Sequence, residues 1–261
     1  MSRTRDSDAC PGALQVHQAA DGALARLRLP GGMIAAAQLE TLAGVADTLG
    51  SGTLELTGRG NLQIRGVTDP AAVAGQLAAM GLLPSPTHER VRNIVASPLS
   101  GRVGGHTDVR PWVRQLDDAI QDDPDLAGLP GRFLFSLDDG RGDVSGLAAD
   151  AGLHVLPADG NASGAVALLL AGRDTGVRVT AADAVPTLIS VARRFLAERG
   201  KAWRGAEWAA PDVLLWAVTS PPSPSPRQVA GFRRPGRRSA GSSSPAIRRR
   251  WHWVLLSHWG C

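Results

Sequence analysis

The chain has 261 residues, of which 43% are hydrophobic, enough for one sizeable domain or two small ones with a buried core. Its only cysteines are Cys10 and Cys261, which excludes a disulfide framework and any four-cysteine metal or cluster site formed by this chain alone. The sequence has no long apolar run and no apolar stretch typical of a secretory signal, so we expect a cytoplasmic protein that does not bind a membrane.

Positive charge is concentrated in the C-terminal part of the chain. The net charge is +4, but no Asp or Glu follows Asp212, whereas residues 213–261 contain eight Arg. Subtracting these eight charges leaves residues 1–212 at −4. Because residues 213–261 are rich in Pro, Ser and Arg and lack hydrophobic periodicity, we predict a disordered tail and no nucleic-acid partner. The alternative is a basic arm that binds nucleic acid or an anionic membrane.

The first part of the sequence shows the order strand, helix, two strands, helix. The predicted elements are a strand at Ala23–Leu29, a helix over 35–49, strands at Thr53–Thr57 and Leu62–Val67, and a helix from Pro70 to about Met80. Asp69 is a favourable N-cap and proline is tolerated at the first helical position. This order indicates an α+β fold with a ferredoxin-like α/β sandwich unit, which we assign to residues 12–82.

A second, mixed α/β domain is predicted over residues 88–208. Its expected elements are strands at Val91–Ser97, Arg132–Leu137, Leu153–Leu156, Ala165–Ala171 and Val177–Thr180, and helices over 109–121 and from Thr180 to about Gly200. Thr180 is the predicted N-cap of the last helix. The first helix has Val109, Val113 and Leu116 on one face, which indicates a buried stripe.

Three segments place Arg and amide side chains where turns meet strands, namely Leu56–Gly66, His88–Gly101 and Leu129–Val144. An Arg fork can hold a carboxylate in a bidentate manner and stays charged in a partly dry site, so a convergent set of Arg favours a polycarboxylate ligand. The alternative for each Arg is a structural ion pair. The candidate pairs are Glu89 with Arg92, and Asp138 and Asp139 with Arg141.

These segments resemble the sulfite and nitrite reductase family. The family pattern Thr-x-Arg-x-x-x-Gln reads Thr57 to Gln63, and an Arg-Asn pair, Arg92-Asn93, precedes the turn at Ala96–Gly101. The opening segment Asp8–Leu14 and the LDDGRGD segment look more similar still to the precorrin-3B synthase branch of that family. The resemblance covers about residues 8–210.

The resemblance implies a pseudo-twofold protein that encloses a tetrapyrrole, either sirohaem or a precorrin, beside a [4Fe-4S] cluster. For the precorrin-3B synthase branch it implies an oxidoreductase of cobalamin biosynthesis that hydroxylates precorrin-3A with dioxygen. It assigns one catalytic residue facing the reacting centre and six residues that bind or orient the tetrapyrrole carboxylates. These are Arg132 as the catalytic residue, and Arg59, Asn61, Gln63, Arg65, Arg92 and Asn93 as binding residues.

Two departures from the family pattern leave alternatives open. Leu134 stands where sulfite reductases have a second basic residue, which argues against sulfite chemistry, and the four cluster cysteines are absent. We therefore expect an incomplete chain. Whether it catalyses a reaction without a second half, and which electron donor it uses, are left open. The alternatives are a sirohaem-dependent nitrite or sulfite reductase fragment, or a non-catalytic tetrapyrrole-binding protein that pairs with itself or a partner. His88, His106 and His154 could ligate iron, but surface or hydrogen-bonding roles are favoured, so no metal ligand is assigned.

Overall fold

The computed structural model describes residues 10–20, 22–158, 164–208 and 254–256. The strands are β1 His17–Ala19, β2 Gly22–Leu27, β3 Leu54–Thr57, β4 Leu62–Val67, β5 Ile94–Ala96, β6 Phe135–Asp138, β7 Ala151–Val155, β8 Val166–Leu170, β9 Arg173–Val179 and β10 Val254–Leu256. The helices are α1 Ala36–Leu49, α2 Pro70–Ala79, α3 Arg110–Gln121 and α4 Ala184–Glu198. Mixed helices and sheets confirm the predicted α+β class.

The first sheet has the strand order β1-β2-β4-β3-β10, and its first four strands are antiparallel neighbours. Side chains alternate between the two faces of a strand, so Ala25, Leu27 and Ile64 lie on one face while Arg26 and Gln63 lie on the other. The apolar face packs against the buried stripes of α1 and α2 in one hydrophobic core. The two predicted strands β3 and β4 form an antiparallel pair, and the opposite face is left polar.

Helix α2 begins where the sequence predicts. The Asp69 carboxylate accepts a hydrogen bond from the Ala72 backbone N–H at 3.0 Å, and Pro70 occupies the first helical position. This bond satisfies one of the backbone donors that an isolated helix start leaves without a partner.

Replacing Asp69 by Ala is expected to lower the free energy of unfolding by about 1 kcal/mol, because it removes this cap. Asp183→Ala is the matched control, since Asp183 holds the same position before α4 without capping that helix through its side chain. Urea unfolding of both variants measures the difference. Equal losses for the two would show that the Asp69 cap does not stabilise α2.

The second sheet has the strand order β5-β6-β7-β8-β9 and combines parallel with antiparallel pairing. Strands β5, β6 and β7 are parallel, whereas β8 and β9 continue the sheet antiparallel. Its core is built around Phe133, Phe135 and Phe195. The Phe133 ring centroid lies 5.0 Å from that of Phe135, in an edge-to-face contact, and 4.8 Å from that of Phe195. The buried stripe predicted for α3 is confirmed by Val113 and Leu116.

Four predicted starts in this part are wrong by three or more residues. Strand β5 begins at Ile94 rather than Val91, and β9 begins at Arg173 rather than Val177. Strand β6 begins at Phe135 rather than Arg132, because the Leu134 backbone N–H donates to the Asp150 carboxylate at 2.8 Å instead of to a neighbouring strand. Helix α4 begins at Ala184, so Thr180 is not its N-cap. The Thr180 hydroxyl instead donates to the Asp183 carboxylate at 2.6 Å in the turn before the helix.

The predicted disordered tail lies outside the described residues, apart from β10. Residues Val254–Leu256 pair in parallel with β3 at the edge of the first sheet, which the sequence pattern did not predict. Within the described ranges, no helix combines the length and the apolar character needed to cross a membrane. The domain limits 12–82 and 88–208 stay predictions, and β1 to β4 and β5 to β9 fall within them.

Candidate functional site

Two buried asparagines join the first sheet to the second. The Asn61 amide oxygen accepts from the Leu29 backbone N–H at 2.9 Å, and its amide nitrogen donates to the Asn93 side-chain oxygen at 3.1 Å. The Asn93 amide nitrogen then donates to the Phe133 carbonyl at 3.1 Å. The two side chains belong to residues only 2% and 1% exposed, so their amides hold the three motif segments in one fixed arrangement.

The turn between β3 and β4 brings Arg59 to the second sheet. The Thr57 hydroxyl accepts from the Asn61 backbone N–H at 3.1 Å and closes this turn, in which Gly60 has a φ of 71°. A positive φ favours glycine because it has no Cβ. The half-buried Arg59 guanidinium then reaches the carbonyl oxygen of Arg132, with its Nη1 at 3.5 Å. The structure therefore places the Arg59 guanidinium against the backbone of the predicted residue Arg132.

Arg132 carries a buried donor without a partner among the described residues. Its Nε is fully shielded from solvent and makes no hydrogen bond there. Its guanidinium carbon lies 5.9 Å from the centre of the Trp203 ring, within the range of a cation–π contact. A buried donor without an acceptor costs about 1–3 kcal/mol. An anionic group placed beside Arg132 would remove that cost.

A row of charged and amide side chains crosses the polar face of the first sheet. Arg26, Gln63 and Glu55 are cross-strand partners on β2, β4 and β3. The Gln63 oxygen accepts from Arg26 Nε and Nη2 at 3.1 and 3.0 Å, while its nitrogen donates to Glu55. Arg65 Nε lies 3.1 Å from Glu55 Oε1. The predicted residues Gln63 and Arg65 are thus preorganised through one carboxylate.

Arg92 forms an ion pair with helix α3. Its Nε and Nη2 donate to the two oxygens of Asp117 at 2.7 and 2.8 Å, a bidentate ion pair. The two side chains are only 7% and 15% exposed. The ion pair suggested above between Glu89 and Arg92 is therefore wrong, because Arg92 pairs with Asp117. The role of Arg92 toward a ligand stays a prediction.

Glu89 serves a different purpose that the sequence reasoning missed. Its buried carboxylate accepts backbone N–H groups of the opening segment, from Ala13 at 2.6 Å and Leu14 at 3.0 Å. A Cβ on Gly12 would lie 2.3 Å from Glu89 Oε1, so a larger residue there would displace this carboxylate from its backbone donors. The Pro-Gly pair of the opening segment was the signal for a close backbone approach.

Arg28 is a second missed residue at the contact between the sheets. It follows β2, is only 4% exposed, and donates from Nε to the Arg90 carbonyl at 3.2 Å. Its Nη2 lies 3.4 Å from the Gly131 carbonyl. The alternation of Arg with Leu at the end of β2 marked it as one of the residues on the polar face. Arg28 thereby fixes the peptide next to Arg132.

Asp138 organises the loop after β6. Its Oδ1 accepts from the N–H groups of Gly140 and Gly142, and its Oδ2 from Val144 and Ser145, at 2.9–3.1 Å. Burial alone would raise the pKa of this carboxyl, but the hydrogen bonds from Gly142, Ser145 and Val144 outweigh burial and hold that pKa below its ordinary value of 3.8. Asp138 is a structural carboxylate.

The remaining candidate metal ligands form ion pairs or hydrogen bonds with other protein groups, or are exposed. Asp138, Asp139 and Asp143 place oxygens within 4.8 Å of one another, but Arg141 binds Asp139 at 2.8 Å, as expected, and Ser97 donates to Asp143 at 2.6 Å. The three histidines have the hydrogen-bonding and surface positions favoured above. His88 contacts Ser85 and Thr87 through Nδ1, His154 contacts Ser145 through Nδ1, and His106 is exposed.

The two groups implied by the sequence resemblance fit the chain differently. The unpartnered Arg132 guanidinium, with the Arg59 guanidinium on its backbone carbonyl, matches an acidic side chain of a tetrapyrrole. A [4Fe-4S] cluster is held by four cysteine thiolates, and the whole chain has two cysteines. The described residues therefore fit the tetrapyrrole, and the cysteine content does not fit the cluster.

Comparison with known proteins gives a consistent family relationship. Residues 17–74 match the nitrite/sulfite reductase ferredoxin-like half domain. A ferredoxin–nitrite reductase of Synechococcus elongatus is 32% identical over 127 residues, 45% of this chain and 25% of that protein. A precorrin-3B synthase of a Sinorhizobium species is 28% identical over 247 residues, 92% of this chain and 52% of that protein. The chain thus spans about half or less of these relatives.

A solved structure shows the same fold. The structure of the Mycobacterium tuberculosis NirA protein superposes with a TM-score of 0.62 over 75% of this chain and 38% of that protein, at 18% sequence identity. This likeness shows the fold over three quarters of the chain.

Proposed function

We propose that the chain, which is similar to nitrite reductases and to a precorrin-3B synthase, forms the tetrapyrrole-binding part of a precorrin-3B synthase-like oxidoreductase. The ligand is a tetrapyrrole with acidic side chains, and the binding groups are Arg132 and Arg59, supported by Arg65. Asn61, Gln63 and Asn93 hold these groups in place. The family reaction in this proposal is the oxygen-dependent hydroxylation of precorrin-3A in the cytoplasm.

The buried, unpartnered Nε of Arg132 carries this proposal. Arg65 and Arg92 of the other motif segments each have a protein acceptor, Glu55 for Arg65 and Asp117 for Arg92. The Arg132 guanidinium instead lies against the Trp203 ring, and a ligand carboxylate could accept a hydrogen bond from it. Because the guanidinium stays charged at every relevant pH, the site would hold an anion without a proton transfer.

Leu134 favours the precorrin substrate over sulfite or nitrite. It is 2% exposed and packs in a small apolar cluster with Val95, Val144 and Ala149. Since Leu134 stands at the second basic position of the sulfite reductases, this chain has one cation, Arg132, where those enzymes have two. A lone Arg suits the orientation of a macrocycle carboxylate, whereas reduction of a small anion profits from several positive charges.

The runner-up is a sirohaem-binding protein of the nitrite reductase type, favoured by the 32% identity to the ferredoxin–nitrite reductase. For either function, we assign tetrapyrrole binding to the Arg and amide residues named above. Electron supply requires a cluster or another donor whose ligands come from elsewhere, since this chain contains only Cys10 and Cys261. Self-pairing with a second copy is the simplest alternative source of a complete cavity.

Anaerobic titration of the full chain with sirohaem or precorrin-3A, followed by absorbance, tests the proposal. Arg132→Met is expected to weaken binding roughly tenfold or more, because it removes a charge-assisted hydrogen bond of about 1.5–3 kcal/mol. Arg178→Met is the matched control, since Arg178 pairs with Asp174 on the exposed strand β9. A tighter complex with sirohaem than with precorrin-3A would favour the runner-up.

Two results would contradict the proposal. The folded wild-type chain could bind neither tetrapyrrole, or Arg132→Met could bind as tightly as Arg178→Met. Circular dichroism of each variant establishes that it is folded before the titration, so that a loss of affinity is separated from a loss of structure.

A further inference from the structure

The segment after helix α4 contributes an aromatic ring to the Arg132 site. Trp203 is half-buried, and its ring centre lies 5.9 Å from the guanidinium carbon of Arg132. The Trp203 backbone N–H donates to Glu207 Oε2 at 2.9 Å, which closes the short turn that presents the indole. Trp203 belongs to none of the motif segments identified in the sequence, so the site includes a part of the chain that the family pattern did not mark.

Asp150 fixes this segment to the peptide that carries Arg132. Its carboxylate accepts from the Leu134 N–H at 2.8 Å, from the Gly205 N–H at 2.6 Å and from Arg204 Nε at 2.8 Å. Leu134 is two residues beyond Arg132, and Arg204 directly follows Trp203. Asp150 is only 3% exposed, so one buried carboxylate sets the distance between the segment of the cation and the segment of the ring.

We propose that Trp203 is a positioning residue for Arg132. It holds the guanidinium against the indole, so that the guanidinium is already oriented when a ligand carboxylate binds. This inference rests on the proposed function for the identity of the ligand, but the contact itself belongs to the ligand-free protein. An Arg side chain otherwise samples many rotamers and loses that freedom on binding. The ring restricts the guanidinium beforehand, which lowers the entropic cost of binding.

Removal of the ring is expected to act through Arg132 alone. Trp203→Leu keeps an apolar side chain but removes the π face, and Trp203→Phe keeps a smaller π face. We expect Trp203→Leu to weaken tetrapyrrole binding about fivefold and Trp203→Phe to restore most of that loss. In an Arg132→Met background, Trp203→Leu is expected to cause no further loss of affinity.

The test has one measurement that needs no ligand. The arginine Nε–Hε correlations of the full chain are recorded by NMR, and the Arg132 signal is identified by its absence in Arg132→Lys. An indole next to the guanidinium displaces this signal through its ring current, so Trp203→Leu is expected to return the signal toward the values of solvent-exposed arginines. Uroporphyrin, a tetrapyrrole with eight carboxylates, is then titrated by absorbance into the same variants.

The outcomes separate the inference from the proposed function. An Arg132 signal that is unchanged in folded Trp203→Leu overturns the positioning role, whatever the affinity. A loss of affinity that persists in the Arg132→Met background also overturns it, since the ring would then contact the ligand directly. Absence of uroporphyrin binding by the wild type argues against the proposed function, and the positioning role is then decided by the NMR signal alone.

Discussion

Asp138→Asn is expected to lower the free energy of unfolding by roughly 4 kcal/mol, although the two side chains have nearly the same shape. Each Asp138 oxygen accepts from two backbone N–H groups, and Ser145 adds its hydroxyl to Oδ2. An asparagine must point its own N–H groups at one of these pairs of donors. At least two of these backbone donors then lose their acceptor, and the loop after β6 loses its anchor.

The pH dependence gives this prediction a second, independent signature. The pKa of Asp138 is lowered in the folded protein, so its ionised form stabilises the fold above the ordinary value of 3.8. That stabilisation is lost as the pH falls through the lowered pKa. The difference in unfolding free energy between the wild type and Asp138→Asn is therefore expected to be largest at neutral pH and to shrink below pH 3.8.

Urea unfolding at neutral and acidic pH measures both effects. Asp174→Asn is the control, because Asp174 is an exposed carboxylate paired with Arg178 on β9. Ser145→Ala is expected to lie between them, since it removes only the hydroxyl from Asp138. A neutral-pH loss for Asp138→Asn no greater than that of Asp174→Asn would show that the loop is held by other contacts.

Local features of the fold could be predicted because their signals lie within a few residues. The cap at Asp69 precedes helix α2 directly, and the stripe of Val113 and Leu116 repeats with the helical period. The turn between β3 and β4 needed its glycine at a positive φ and was visible as a Gly-rich break between two alternating segments. In these cases the residues that contact one another are also close in the sequence, so their spacing predicts the contact.

The site itself depends on contacts between distant parts of the chain, which leave no periodic pattern. Asn61 meets Asn93 across 32 residues, and Arg204 meets Asp150 across 54. The resemblance to a known family identified Arg132 and Asn93, since their motifs are short and continuous. It did not identify Trp203 or Asp150, because each acts through a partner that only the folded chain brings near.

The boundary errors have the same origin. The pattern of Arg132–Leu137 is that of a strand, yet the Leu134 backbone N–H donates to the Asp150 side chain instead of to a neighbouring strand. This departure leaves Arg132 in an irregular segment before β6, where its guanidinium can turn toward Trp203. A continuous strand would have placed Arg132 in the regular alternation of the sheet, so the local irregularity is part of the site.

Removal of either partner of the buried ion pair between Arg92 and Asp117 is expected to destabilise the fold by about 3–5 kcal/mol, because the remaining charge stays buried without its counter-ion. Both Asp117 oxygens are occupied by Arg92, and Gln121 adds a third donor at 3.1 Å. The double variant Arg92→Met, Asp117→Leu is expected to lose less than the sum of the single variants, since no lone charge remains. Urea unfolding of the four proteins in a double-mutant cycle measures this coupling.

The same double variant decides between the structural and the ligand-binding interpretation of Arg92. If Arg92 acts only through Asp117, the folded double variant binds a tetrapyrrole as tightly as the wild type, and this is the result we expect from the bidentate geometry. If Arg92 contacts the macrocycle, as the family pattern implies, its affinity falls as far as that of Arg132→Met. Additive losses of stability in the cycle would contradict the ion pair itself, because two independent sites do not share a coupling energy.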